Sequence, residues 1–360
     1  MSSVGTVMPK VIGVGTICMD TLVVVDHYPQ PDEKLRTKSH KVMPGGNTGN
    51  VLSNLSHGLQ VPCLYVGNIA NDTVGEQLIQ SFQQDGVAVG VSREGTRSGS
   101  SYIIIDAQQN TRTILHTPPD HDVTEKDLIA NITPQNMESS CVVFSDGRYP
   151  LAVVPFFAHL DKLVQSRNSQ GLPFVKVVEA ENCRDGTLDL IHLADILLLS
   201  PAFLTAYGKV HQLPTDLITL QFLMLQRQCA GPQCNYLVTT LGTDGCIVLV
   251  PKSKNSTLVS ELVANSKSCS SSRFDQCKIV EKSVSSLNEL LTIVKEFSEQ
   301  QQQQEVGDMV DGMAIPKVFV FPYQSQARSG DPTMKEDEYW VVYCECWKVS
   351  QVMPSVTWHI

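Results

Sequence analysis

Basic clusters are missing from this 360-residue chain. Lys and Arg number 27 against 37 Asp and Glu, a formal net charge of −10, and they gather nowhere into a block. Nucleic acid is thereby excluded as a main partner, because neutralising phosphates takes clustered cations. Long apolar runs are missing too. The longest candidate, LDLIHLADILLLS at 188–200, carries two aspartates and a histidine and falls short of the roughly 18 residues that a membrane span needs. No CxxC pair occurs among the 11 cysteines, an odd number at irregular spacing. This speaks against a disulfide framework and a zinc site, and for reduced thiols in the cytoplasm. The opening MSSVGTVMPK is too short and polar to read as a signal or transit peptide. What is present, 42% hydrophobic and 18% charged residues, suits a soluble globular protein with a sizeable core.

The chain alternates between strand-like and helix-like stretches as far as residue 250. KVIGVGTICMD (10–20) reads as a buried strand, PCLYVGNI (62–69) as the next, and DTVGEQLIQSFQQDG (72–86) as an amphipathic helix with a glycine stop. The rhythm resumes with strands at 139–147, 173–181 and 195–200, helices at 151–165, 187–194 and 217–228, and a strand–turn–strand at 235–250. Repeated βα units predict an α/β, Rossmann-like fold, with a mostly parallel, doubly wound sheet. Two stretches, 22–42 and 100–117, break the rhythm and read as extended ribbons of a small flap.

The stretch VMPGGNTGNVLSN (42–54) is the first that carries chemistry. A phosphate-binding P-loop needs GxxxxGK followed by Ser or Thr, and no lysine lies within or just after GGNTGN. A dinucleotide fingerprint fails as well, since Asn47 and Asn50 stand where glycines are required. What remains is a turn at Gly46 with two carboxamides, which both donate and accept hydrogen bonds without charge. Such groups suit hydroxyls, so a polyol fits better than a phosphate. The alternative, Asn47 as a plain N-cap of a helix over 48–57, stands beside it. Asp20, placed at the carboxyl end of the first strand, offers a carboxylate to two hydroxyls, and Asp32 in HYPQPDEKLR is a further, more exposed candidate.

Asp20, VDHYPQPDEKLR (25–36), GGNTGN, ANDTVGEQLIQSFQQDGV (70–87), NTRTILHT (110–117), SDGR (145–148), VVEAENCRDG (177–186) and VTTLGTDGC (238–246) stand in one order. In that order and spacing the chain resembles the PfkB, or ribokinase-like, carbohydrate kinases over residues 10–250, and is most similar to their ketohexokinase and plant-type branches. The resemblance implies a ribokinase-like α/β domain over 10–250 whose small β-sheet lid is built from the ribbons at 22–42 and 100–117. It implies transfer of the ATP γ-phosphoryl group to a sugar hydroxyl with Mg²⁺. Asp20, Asp32, Gly46, Asn47 and Asn50 would bind the sugar, Arg112 would stand in the second lid strand, and Thr240, Gly242 and Gly245 would line the nucleotide. It also implies a homodimer paired through the lid strands.

The second signature of these kinases, DTxGAGD ahead of an apolar helix, does not occur in 250–360. In that motif backbone N–H groups hold the transferring phosphoryl charge and the aspartate takes the hydroxyl proton. The nearest strings, EVGDMVDG (305–312) and ARSGDPT (327–333), keep a Gly-Asp pair without Gly-Ala, so Asp308 and Asp331 read as surface aspartates and no catalytic residue is assigned. SPAFL (200–204) also departs from the Asn-x-x-Glu of many relatives. Residues 251–316 read as a Ser-, Lys- and Gln-rich insertion with one helix, and 317–360 as a divergent or truncated C-terminal segment. The chain is therefore expected to be a carbohydrate kinase with impaired transfer. The alternatives are a non-catalytic sugar- or nucleoside-binding pseudokinase and a nucleoside kinase.

Overall fold

The computed structural model describes residues 9–133, 142–166, 174–212, 234, 236–240, 246–251, 278–281, 309–310, 313–314, 317–324 and 338–344. The chain forms two compact units, one of Met1–Glu179 with Arg184–Leu190 and one of Ala180–Cys183 with Ile191–Ile360.

The first unit is built around β1 (Val11–Val14), whose four residues are all buried. A continuous apolar run is what a strand covered on both faces requires. On one side β1 pairs in parallel with β4 (Cys63–Asn68), and beyond it lies β5 (Ala88–Ser92). On the other side it pairs in parallel with β8 (Val142–Ser145), and beyond that lies β9 (Val175–Ala180). The winding direction thus reverses at β1. Ligands of such sheets bind outside the carboxyl ends of the strands at this reversal.

Helix α1 (Asn47–Ser53) buries Leu52 completely, and α2 (Thr73–Gln84) buries Leu78 and Phe82. Each such side chain contributes roughly 1.5–3 kcal/mol on leaving water. Asp72 caps α2 by accepting from the Gly75 N–H at 2.7 Å, and the Phe82 ring packs 5.4 Å from Tyr65 on β4. The helix Pro150–Ser166 adds Val153, Phe156, Phe157 and Leu160 to the core.

A four-stranded mixed sheet completes this unit, in the order β3 (Ser39–Gly45), β2 (Cys18–Val25), β6 (Ser100–Asp106), β7 (Thr111–Thr117). The ribbons expected at 22–42 and 100–117 are its strands. The first strand differs from expectation. It does not run from 10 to 20 but stops at Val14, and the chain leaves the main sheet through Gly15–Ile17 before Cys18 enters the small one. Asp20 is therefore the third residue of a strand of the small sheet, not the end of the first core strand.

In the second unit β10 (Ile196–Leu199) pairs in parallel with β11 (Tyr236–Thr240), which pairs antiparallel with β12 (Cys246–Pro251). Two late strands, Glu338–Cys344 and Lys317–Gln324, extend β12 in antiparallel register, and Lys278–Glu281 lies parallel to the latter. SPAFL opens a helix, Pro201–Val210. Ser200 caps it by accepting from the Phe203 N–H at 3.0 Å, and a proline follows the cap, the position where its missing N–H costs nothing. The helices expected at 217–228 and 284–300, the loop at 252–276, the glutamine run, Asp308 and Asp331 lie outside the described residues.

Candidate functional site

The carboxyl ends of β1 and β8 are bound together by one carboxylate. Asp146, directly after β8 and buried, accepts from the Thr16 N–H (2.6 Å) and the Thr48 hydroxyl (3.1 Å) on Oδ2, and from the Arg148 N–H (3.1 Å) on Oδ1. It joins the exit of β1, the first turn of α1 and the loop after β8. Burial pushes its carboxyl above the ordinary value, against the hydrogen bonds from Thr16, Arg148 and Thr48 that favour the charged form.

Upon this frame sits the glycine turn. Gly46 has φ +87°, a conformation that side chains strain to adopt, and a Cβ there would lie 2.5 Å from the Thr16 carbonyl oxygen and 2.8 Å from Ile17 Cα. Gly46 is also the residue that caps α1, with no side-chain hydrogen bond. The N-cap alternative for Asn47 is thus not what forms. Asn47 is the first helical residue, and its amide donates to Glu179 Oε1 at the end of β9, at 3.4 Å. Asn50 follows three residues on and is exposed on α1, so the two carboxamides share a helix face.

Asp20 meets this turn from the small sheet. Its carboxylate lies against Gly45, where a Cβ would overlap Oδ2 and fall 2.6 Å from Cγ. The Cys18 thiol donates to Asp20 Oδ1 at 3.2 Å. Burial, and next the charge of Asp20, push that thiol up to about 12, so it stays a donor. Asp20 thus lies against Gly45, next in sequence to Gly46 and to Asn47, with Asn50 one turn along α1.

The other expected residues stand elsewhere. Asp32 is exposed at φ 65° in the turn after β2, which Glu33 holds by accepting from the Gln30 N–H at 2.9 Å and pairing with His27 at 2.9 Å. Arg112 is exposed on β7 opposite Ile105, four residues from His116, which shares a row with Asp20. That spacing puts it on Asp20's face of the sheet, about 13 Å along the strand direction. Thr240 closes β11 in the second unit, and Gly242 and Gly245 lie outside the described residues. Among the described residues no group of three or more His, Cys, Asp or Glu side chains gathers to hold a metal ion.

Three groups that sequence reasoning did not single out adjoin these residues: Asp146 holds Thr16 and Thr48, Glu179 accepts from Asn47, and His116 shares the register row of Asp20. Asp146 had a signal, as a carboxylate directly after an apolar strand. His116 had none, because its place in the row of Asp20, one strand beyond Ser101, depends on pairing register.

Residues 8–262 match the family model described as pfkB family carbohydrate kinase. Over 122 residues the chain is 31% identical to ketohexokinase of Mus musculus, which covers 33% of this chain and 41% of that protein. The chain thus aligns with less than half the length of that relative. Among solved structures, ribokinase from Giardia lamblia superposes with a TM-score of 0.55 at 16% identity, covering 68% of this chain and 78% of that one. Ribokinase from Thermotoga maritima gives 0.50 at 16% identity over 68% and 75%. These identities speak for the fold alone.

Proposed function

The chain belongs to the PfkB family of carbohydrate kinases, and from that premise we propose that its first unit binds a small sugar through Asp20, Gly46, Asn47 and Asn50. One observation carries this reading. The Asp20 carboxylate of the small sheet lies against Gly45, in a glycine turn that has no room for a Cβ, and the carboxamide of Asn47 opens α1 directly after that turn. A carboxylate accepts from two hydroxyls and a carboxamide donates and accepts, so together they match vicinal hydroxyl groups. A ketohexose or pentose is the substrate class, supported by the match to mouse ketohexokinase. Asp32 and Arg112 are assigned to the sugar on the family resemblance, each from its own place outside the glycine turn.

The reaction is transfer of the γ-phosphoryl group of ATP to a sugar hydroxyl, with Mg²⁺ to offset the phosphate charge. Thr240, Gly242 and Gly245 are assigned to the nucleotide. Because DTxGAGD does not occur in 250–360, transfer by this chain is expected to be impaired, well below the roughly 1–100 per second of ordinary kinases. The test is a coupled assay with ATP, Mg²⁺ and fructose, ribose or adenosine, run beside calorimetry of the same ligands. Binding of fructose or ribose with slow or no turnover supports the reading. Adenosine binding alone would make the chain a nucleoside binder instead.

A homodimer through the small sheet is part of the proposal. Val42, Tyr102 and Leu115 fall in one register row on β3, β6 and β7, with Thr21 of β2 between the first two, and are 52%, 57% and 53% exposed. An apolar row of this kind on a sheet face is what a partner would cover. Light scattering should give a dimer for the natural chain and a monomer for Tyr102→Glu. A monomeric natural chain would refute the pairing. We place the protein in the cytoplasm on the buried thiols of Cys18 and Cys63, neither of them in a disulfide. No helix among the described residues is long and apolar enough to cross a membrane.

A further inference from the structure

One register row of the small sheet holds more than the sugar ligand. Asp20 on β2, Ser101 on β6 and His116 on β7 stand side by side, and Cys18 is two residues from Asp20 on the same face. Hydrogen bonds connect all four. His116 Nδ1 lies 3.2 Å from Ser101 Oγ, Ser101 Oγ lies 3.6 Å from Cys18 Sγ, and the Cys18 thiol donates to Asp20 Oδ1 at 3.2 Å. Cys18 and Ser101 are 3% and 4% exposed, so bulk water does not replace these contacts, while the His116 ring reaches solvent. We propose that His116 is a positioning residue for the sugar site, whose proton sets the donor direction of the His116–Ser101–Cys18 chain and so whether Asp20 Oδ1 is shared with the thiol.

The argument follows from counting hydrogens. Ser101 and Cys18 own one each. With His116 neutral and its proton on Nε2, Ser101 donates to Nδ1. Its oxygen is then left as an acceptor, and the thiol hydrogen divides between Ser101 Oγ and Asp20 Oδ1. With His116 protonated, Nδ1–H donates to Ser101, Ser101 turns its hydrogen to Cys18 Sγ, and the thiol can donate only to Asp20. A lone pair of Oδ1 is then occupied where a sugar hydroxyl would bind. Besides Cys18, two charged groups act on the ring from other elements, Arg148 in the loop after β8 and Asp20 on β2. Partial burial and then Arg148 hold the imidazole below its ordinary value, against Asp20, so the neutral chain prevails at pH 7 and the proton arrives on acidification.

The inference rests on the reading of Asp20 as a sugar ligand. It is tested by calorimetric titration of the full chain with D-fructose at pH 7.5 and 5.5. The natural chain should bind more weakly at pH 5.5, by up to about tenfold, the upper worth of one ordinary hydrogen bond. Ser101→Ala and His116→Phe should each bind as tightly at pH 5.5 as they themselves do at pH 7.5, and Ser101→Thr, which keeps the hydroxyl, should restore the pH dependence. A slope that persists in Ser101→Ala, or is absent from the natural chain while fructose binds, would overturn the inference and leave the sugar site standing. No fructose or ribose binding at either pH would overturn the sugar reading and this inference with it.

Discussion

Alanine at position 45 is expected to leave the protein folded and to weaken sugar binding by at least about 100-fold. The three atoms nearest the added Cβ all belong to the Asp20 carboxylate: it would overlap Oδ2 and stand 2.6 Å from Cγ and 3.3 Å from Oδ1. A side chain can rotate away from such an overlap, so the loss of stability should stay within the roughly 1–3 kcal/mol of ordinary overpacking. The rotation withdraws the carboxylate from the site. Hydrogen bonds to a charged acceptor are worth about 1.5–3 kcal/mol each, and losing two of them gives the stated factor. Gly46→Ala makes the contrast. There the Cβ meets backbone, at Thr16 O and Ile17 Cα, and φ is +87°, so nothing can swing aside. Unfolding should become easier by about 3 kcal/mol or more. Denaturant melts and calorimetry on the two variants separate the cases. A Gly45→Ala protein that binds sugar normally would show that Asp20 does not need its present position.

The second large effect is expected at Asp146. Both carboxylate oxygens accept from backbone N–H groups, Oδ2 from Thr16 and Oδ1 from Arg148. Asparagine has only one acceptor oxygen. Whichever way its amide is turned, an NH₂ faces an N–H donor, and a buried donor left without an acceptor costs about 1–3 kcal/mol. Asp146→Asn should lose that much stability and should loosen Thr16, Thr48 and Arg148 together. The pH dependence runs opposite to that of an ion-paired carboxylate. Burial raises this group in the folded state, so its contribution is fully present below its unfolded value of about 4 and declines as pH rises through the folded value. The stability gap between the natural protein and the Asp146→Asn variant should therefore narrow from pH 4 towards pH 8. Urea melts across that range check it. A gap that widens instead would mean that the donors outweigh burial.

Much of the scaffold was legible in the chain because single-segment patterns dictate it. The apolar run at Cys63–Asn68 and the amphipathic Thr73–Gln84 form where their periodicity places them. The ribbons that broke the βα rhythm became a separate sheet. Asp20 shows where such reading fails. KVIGVGTICMD reads as one apolar, β-branched stretch, and only pairing partners decide that Val11–Val14 joins the main sheet while Cys18–Val25 joins the small one. The helix Pro201–Val210 had its signal in Ser200 and Pro201, which the comparison with a missing motif obscured. Register hides the row of Asp20, Ser101 and His116 altogether, since residues 81 and 15 positions apart meet only once strands align.

The central claim is that this unit recognises a sugar through Asp20, and titration calorimetry of fructose and ribose into the natural chain and Asp20→Ala tests it most directly. Measurable binding by the natural chain, lost in a variant whose melting is otherwise unchanged, is the predicted result. Equal affinity in the two proteins, or no heat from either sugar with the natural chain, would contradict it.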